Sequence, residues 1–176
     1  NSMDFKISCL LFIRNTKDEI LMIKRNKTPN KGFWSPPGGK LNMSDGESPY
    51  ECAKREALEE TGVALEDKDL SLFGYVSEKS YESTTNWLMF LFDSTRVMQS
   101  LPKDIEEGIF RFFPRVAIST LKIPPSDHQL VWPFFDKRKM GFWGVRADCR
   151  SSGSPKLSIE EFPVQGDNVY YPNSNR

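Results

Sequence analysis

The chain has 176 residues, and its 24 Lys and Arg are balanced by 24 Asp and Glu, with His128 the single histidine. A formal net charge of zero excludes a global field for a nucleic acid polymer or an anionic membrane, so any phosphate recognition has to be local. Cys9, Cys52 and Cys149 are too widely spaced for a disulfide framework or a zinc site, and the length suits one domain with a sizeable core.

Asn1-Ser2 ahead of Met3 reads as a cloning remnant. No signal peptide precedes the first strand, and no apolar run approaches the roughly 20 residues of a membrane span, which with reduced cysteines predicts a cytoplasmic protein. Residues 5–14 and 19–25 predict strands joined by the turn Asn15-Thr16-Lys17-Asp18, an opening hairpin. Residues 26–37 predict a polar loop that delivers Phe33-Trp34 just before Gly38-Gly39.

Ser48-Pro49-Tyr50-Glu51 is a capping box with proline at the first helical position, and Gly62 supplies the left-handed stop, so a helix is expected between them. Strands are expected at 70–77 and 86–97, the second apolar enough at Trp87-Leu88-Met89-Phe90-Leu91-Phe92 to be central, and at 110–113. Short helices at 116–121 and 127–136 and a strand at 140–149 follow. These elements predict a principal domain over 3–150, of α/β class, with a mixed sheet covered on both faces. Residues 151–176 predict a C-terminal extension with a strand at 157–162 and a mobile end at 171–176.

Glu56, Glu59 and Glu60 stand at i, i+3 and i+4, so on a regular helix they share one face beside Cys52, Ala53 and Ala57. Like charges so placed repel, and a hard divalent cation relieves them best; the alternative is a solvated acidic stripe. Around them the order Glu47, Arg55-Glu56, Glu59-Glu60, Gly62-Val63 resembles the signature of the Nudix hydrolase family, G-x5-E-x7-R-E-U-x-E-E-x-G-U, where U is a bulky aliphatic. Ala57 stands at the first aliphatic position, and Leu41 stands where the signature has glycine, so a two-residue insertion within 40–46 is expected, with Gly39 displaced upstream.

The resemblance implies a Nudix-type α/β/α sandwich and a site for Mg²⁺, with Mn²⁺ able to substitute. By the same resemblance Glu56, Glu59 and Glu60 are metal-binding carboxylates of the catalytic site, Glu59 and Glu60 the firmer ligands, the Gly38 carbonyl is the matching loop ligand, and Glu56 has holding or deprotonating the nucleophilic water as its alternative role. Arg55 is expected to clamp Glu47 through a two-point pair, Lys40 and Gly39 to contact phosphate, and Glu106 or Glu107 to add a loop carboxylate. Similarity of the later chain to triphosphate-hydrolysing members makes Asp127, Trp132 and Trp34 candidate base contacts, whereas Ser35 stands where a base-reading Asn would be. The two tryptophans have core packing as their alternative.

The expected activity is cleavage of a nucleoside triphosphate to monophosphate and pyrophosphate, with sanitation of modified nucleotides as one use. Dinucleoside polyphosphates, nucleotide sugars and ADP-ribose are alternative substrates, and a non-catalytic nucleotide sensor is the alternative class. The partner is a small nucleotide, and the protein is a monomer or a homodimer.

Overall fold

Alternation in the first strand prepares a two-sided core. Cys9 and Leu11 point to one side and Phe12 to the other, all three fully buried. The computed structural model describes residues 4–151, 153–165 and 168–169; residues 1–2, expected to be a cloning remnant, and the end expected to be mobile at 171–176 lie outside the described residues. In chain order the strands are β1 (Phe5–Phe12), β2 (Ile20–Arg25), β3 (Trp34–Ser35), β4 (Gly38–Lys40), β5 (Leu70–Tyr81), β6 (Thr85–Ser94) and β7 (Gly108–Phe113). They continue with β8 (Trp143–Asp148), β9 (Lys156–Glu161), β10 (Val164–Gln165) and β11 (Asn168–Val169), and the helices are α1 (Pro49–Glu56), α2 (Arg115–Ile118), α3 (Asp127–Leu130) and α4 (Trp132–Asp136).

A six-stranded sheet runs β4-β1-β6-β5-β8-β9, with β1 parallel to β6 and β5 parallel to β8, so the sheet is mixed. A smaller antiparallel sheet runs β3-β2-β7. Cys52 and Ala53 of α1 pack with Cys9, Leu11 and Phe92 on one side of the large sheet. Trp132, Phe134 and Phe135 of α4 pack with Phe12, Phe73 and Val76 on the other. The result is the expected sheet covered on both faces.

The opening hairpin is not a hairpin within one sheet. Leu21 donates its N–H to the Ile13 carbonyl at 2.8 Å and Arg14 bridges Ile20, after which the strands part. Both edges of β1 are already taken, by β4 and β6, so β2 has to find its partners in β3 and β7. The expected loop over 26–37 accordingly holds β3, paired with Ile23 and Lys24. The helix expected over 127–136 is two short ones, because Pro133 removes a backbone donor and Val131 sits at φ −118° between them. Helix 116–121 shortens to α2, and strand 140–149 to β8. No helix among the described residues is long and apolar enough to cross a membrane.

The Phe12 ring stacks on Phe135 at 4.8 Å and meets Phe73 and Trp132 edge-on at 5.4 and 5.3 Å, joining α4 to the sheet. Phe12→Ala is expected to cost about 3–5 kcal/mol in urea unfolding. A loss below about 1 kcal/mol would show that this aromatic cluster does not hold the helical layer.

Candidate functional site

Helix α1 starts as its sequence dictates. The Ser48 hydroxyl accepts from the Glu51 N–H at 3.1 Å while the Glu51 carboxylate accepts from the Ser48 N–H at 3.0 Å. Past Glu56 the winding widens into a single π turn over Ala57–Thr61, closed by Gly62 at φ 75°. This is a departure from the regular helix that the spacing predicts. All three carboxylates reach the same cavity, but at different depths: the Glu59 side chain is 59% exposed and Glu56 only 13%.

Arg55 organises this end of the helix. Its Nε and Nη2 donate to the two Glu47 oxygens at 2.7 and 2.8 Å, a planar fork. Nη1 donates to Glu56 and Glu59 at 2.9 and 3.2 Å, and Nη2 also reaches the Lys40 carbonyl at 3.1 Å. The guanidinium beside Glu47, helped by the Asn42 N–H at 3.0 Å, holds that carboxyl down at about 2. The carboxylate cluster therefore has a basic partner, contrary to an expectation of bare mutual repulsion.

Glu60 is the exception, with no ion pair among the described residues. Burial, contact with the Glu56 carboxyl and the charge of Glu107 push its carboxyl up to about 9, against a partial offset from the Gly38 N–H. Glu60 thus retains its proton at neutral pH while its site holds no cation. Gly39 lies so near that a Cβ there would collide with the Glu56 carboxylate, and one at Gly38 would collide with the Cys9 carbonyl. Behind them the Cys9 and Cys52 thiols touch at 3.3 Å.

These groups wall a cavity of about 520 Å³, within the range of small-molecule sites. Gly38, Gly39, Lys40, Glu107 and Asp127 of the expected residues also line it. Glu106 does not: its side chain is 82% exposed and pairs with Lys27 at 3.1 Å. Trp132 is 2% exposed inside the aromatic cluster, and Trp34 packs edge-on against Phe113 at 4.9 Å, so neither tryptophan faces the cavity. Asp127 makes no helix-capping bond, and burial and the charge of Glu78 push its carboxyl up to about 8.

Trp87, Glu78, Tyr81 and Arg25 line the cavity without having been singled out by sequence. A signal existed for Glu78: it falls in step with buried Val76 on β5, where the alternation calls for an apolar side chain.

The donors at the helix end are all oxygen, acidic and short of positive charge at Glu60, which fits a hard divalent cation. Among the described residues no three acidic side chains already converge as a finished cage, because Arg55 draws Glu56 and Glu59 to itself.

Since Glu47 ionises at about 2 here against an ordinary 4.5, the stability it lends is complete above about pH 4.5 and is lost as pH falls towards 2. Arg55→Lys keeps the charge but not the fork, and is expected to lower stability by roughly 1–3 kcal/mol at pH 7, with a smaller difference at pH 3. Thermal unfolding at both pH values checks this, and an equal difference at both would remove the pair from the account.

A NUDIX domain model matches residues 4–132 of the chain. The chain is 31% identical over 110 residues to the 8-oxo-dGDP phosphatase NUDT18 of Mus musculus, an alignment covering 60% of this chain and 31% of that protein. It is 38% identical over 45 residues to the ADPR responsive transcriptional repressor NtrR of Acinetobacter baylyi, covering 26% of this chain and 18% of the repressor, so it spans less than a third of either relative. Its fold is that of the MutT protein of Bacillus halodurans, with a TM-score of 0.68 at 21% identity over 88% of this chain and 97% of that one. With the helix, its clamp and the glycine pair all lying inside the matched residues, the chain belongs to the NUDIX family.

Proposed function

We propose that the chain is a divalent-cation-dependent diphosphohydrolase that cleaves a nucleoside triphosphate to the monophosphate and pyrophosphate. The observation that carries this reading is Glu60, a half-buried carboxyl in contact with Glu56 and under the charge of Glu107, with no ion pair among the described residues, in the wall of a cavity bordered by Gly38-Gly39, Lys40 and Arg25. Mg²⁺, or Mn²⁺ in its place, would be held by Glu56, Glu59, Glu60 and the Gly38 carbonyl. It would supply charge neutralisation on the phosphate oxygens and a more acidic water.

The chain's own groups do the rest. Lys40 and Arg25 neutralise the phosphates electrostatically, and the two glycines let the backbone approach without a Cβ in the way. Arg55 holds Glu47 and the helix in register and orients Glu56 and Glu59 through its Nη1. Glu56 or Glu107 takes the proton as the water oxygen bonds to phosphorus and the anhydride oxygen departs with pyrophosphate. Asp127 contacts the base, with Trp87 in the stacking role that the sequence had suggested for Trp34 or Trp132.

The names of both relatives concern nucleoside diphosphate derivatives, which supports a nucleotide substrate. A non-catalytic sensor is the other class, and the retention of Glu56, Glu59 and Glu60 together weighs against it: a binding module has no physical need for clustered repulsive carboxylates.

Glu60→Gln keeps the shape but removes the charge a cation needs, so turnover of a nucleoside triphosphate panel with Mg²⁺ is expected to fall about a hundredfold or more. The metal-free variant should be at least as heat-stable as the wild type, because Gln replaces a carboxyl that has to take up a proton to fold beside Glu56. Near-normal pyrophosphate release would sink the reading.

A further inference from the structure

One carboxyl in the cavity is left over by the hydrolysis. Glu78 of β5 is 4% exposed, makes no hydrogen bond or ion pair among the described residues, and lines the cavity. It continues the inward line of Val76, and its partner across the β5–β6 ladder is Trp87, whose indole lines the same cavity. Residues directly opposite on antiparallel strands share a face, so a carboxyl and an aromatic plane stand side by side.

The groups that face Glu78 are Asp127 from the start of α3, Tyr81 from its own strand and Cys149 beyond β8. The charge of Glu78 raises all three, and Tyr81 donates to the Asn30 side chain at 3.4 Å. Arg25 borders the cavity too, with its Nε given to the Pro29 carbonyl at 2.7 Å. Burial alone pushes the Glu78 carboxyl up to about 7, and that of Asp127 stands still higher. Two such acids sharing an apolar wall keep at least one proton at neutral pH.

Two carboxyls that share one proton offer a donor beside an acceptor. This is the complement of an edge in which a ring nitrogen adjoins an exocyclic amino group, as in adenine and cytosine. An ionised carboxylate would instead suit adjacent N–H donors, as in guanine. We propose that Glu78, together with Asp127 and beside Trp87, reads the amino-heterocycle edge of the nucleotide base, the acid that carries the shared proton donating to the ring nitrogen and the other accepting from the amino group. This assignment deepens the nucleotide reading given above and rests on it.

The test uses nucleoside monophosphates, which carry no anhydride to cleave, titrated calorimetrically into the full chain at pH 7 with Mg²⁺. AMP and CMP are expected to bind about tenfold more tightly than GMP and UMP, and purine riboside monophosphate, which lacks the amino group, about tenfold more weakly than AMP. Glu78→Gln should keep this order, because an amide also sets one donor beside one acceptor. Glu78→Leu should bring AMP and purine riboside monophosphate to within about threefold of each other. Equal wild-type binding of AMP and purine riboside monophosphate would overturn the assignment without needing any variant to fold, as would tighter binding of GMP that is lost in Glu78→Gln. A base preference without polyphosphate hydrolysis would leave Glu78 in its role and remove the hydrolase reading; hydrolysis without the preference would do the reverse.

Discussion

The site depends on one guanidinium. Arg55 directs its nitrogens to the Glu47 carboxylate, the Lys40 carbonyl, Glu56 and Glu59, so it ties the loop after β4, the end of α1 and the first part of the π turn together. The Glu47 side chain is 9% exposed, and without the fork its charge would be left with the Asn42 N–H and the Cys52 thiol beside it. The same cation that makes the loop tenable also pairs with two of the helix carboxylates. Loop shape and site charge therefore cannot be varied independently.

Two acids in the cavity are raised for different physical reasons. Glu60 is raised by burial together with neighbouring carboxyls, a condition that any added positive charge relieves. Glu78 is raised by its enclosure alone, and what relieves it is a hydrogen-bond partner that offers both a donor and an acceptor. One carboxyl therefore asks for charge and the other for a polar, uncharged edge. A nucleotide, anionic at one end and heterocyclic at the other, is asymmetric in the same sense.

Local chemistry made much of this legible in the sequence. The capping box, the Gly62 stop, the Glu47–Arg55 spacing and the strand periods depend on residues a few positions apart, and the structure places each where that chemistry leads. What stayed hidden depends on pairing at long range. Nothing in residues 5–25 says that both edges of β1 are filled by β4 and β6, which is what turns the expected hairpin into two sheets. A tryptophan's composition does not say which way it faces, and Trp132 and Trp34 went to the aromatic packing while Trp87 went to the cavity. Glu106 and Glu107 are adjacent and chemically alike, and only the register of the turn before β7 sends one to Lys27 and the other inward. The π turn leaves no mark in a pattern read at constant helical pitch.

The stretch that departs from the family signature shows how such a change is accommodated. Residues 42–46 form a turn that satisfies itself: Asn42 bonds Asp45 at 2.7 Å and accepts from Ser44 at 2.9 Å, the Gly46 N–H reaches the Met43 carbonyl at 3.1 Å, and Gly46 takes φ 61°. The Glu47 N–H then returns to the Asn42 carbonyl at 3.1 Å, so the loop leaves and rejoins at nearly the same place. Leu41, at the position of the signature glycine, extends the strand by bonding the Ile7 carbonyl at 3.0 Å and packs on the α1 side of the core. No close approach is demanded of it. That demand falls on Gly39, against the Glu56 carboxylate, and there a side chain is excluded by contact. Glycine is thus required by distance to the helix carboxylate, not by count along the chain, and a self-contained turn can lengthen the count without moving the glycine.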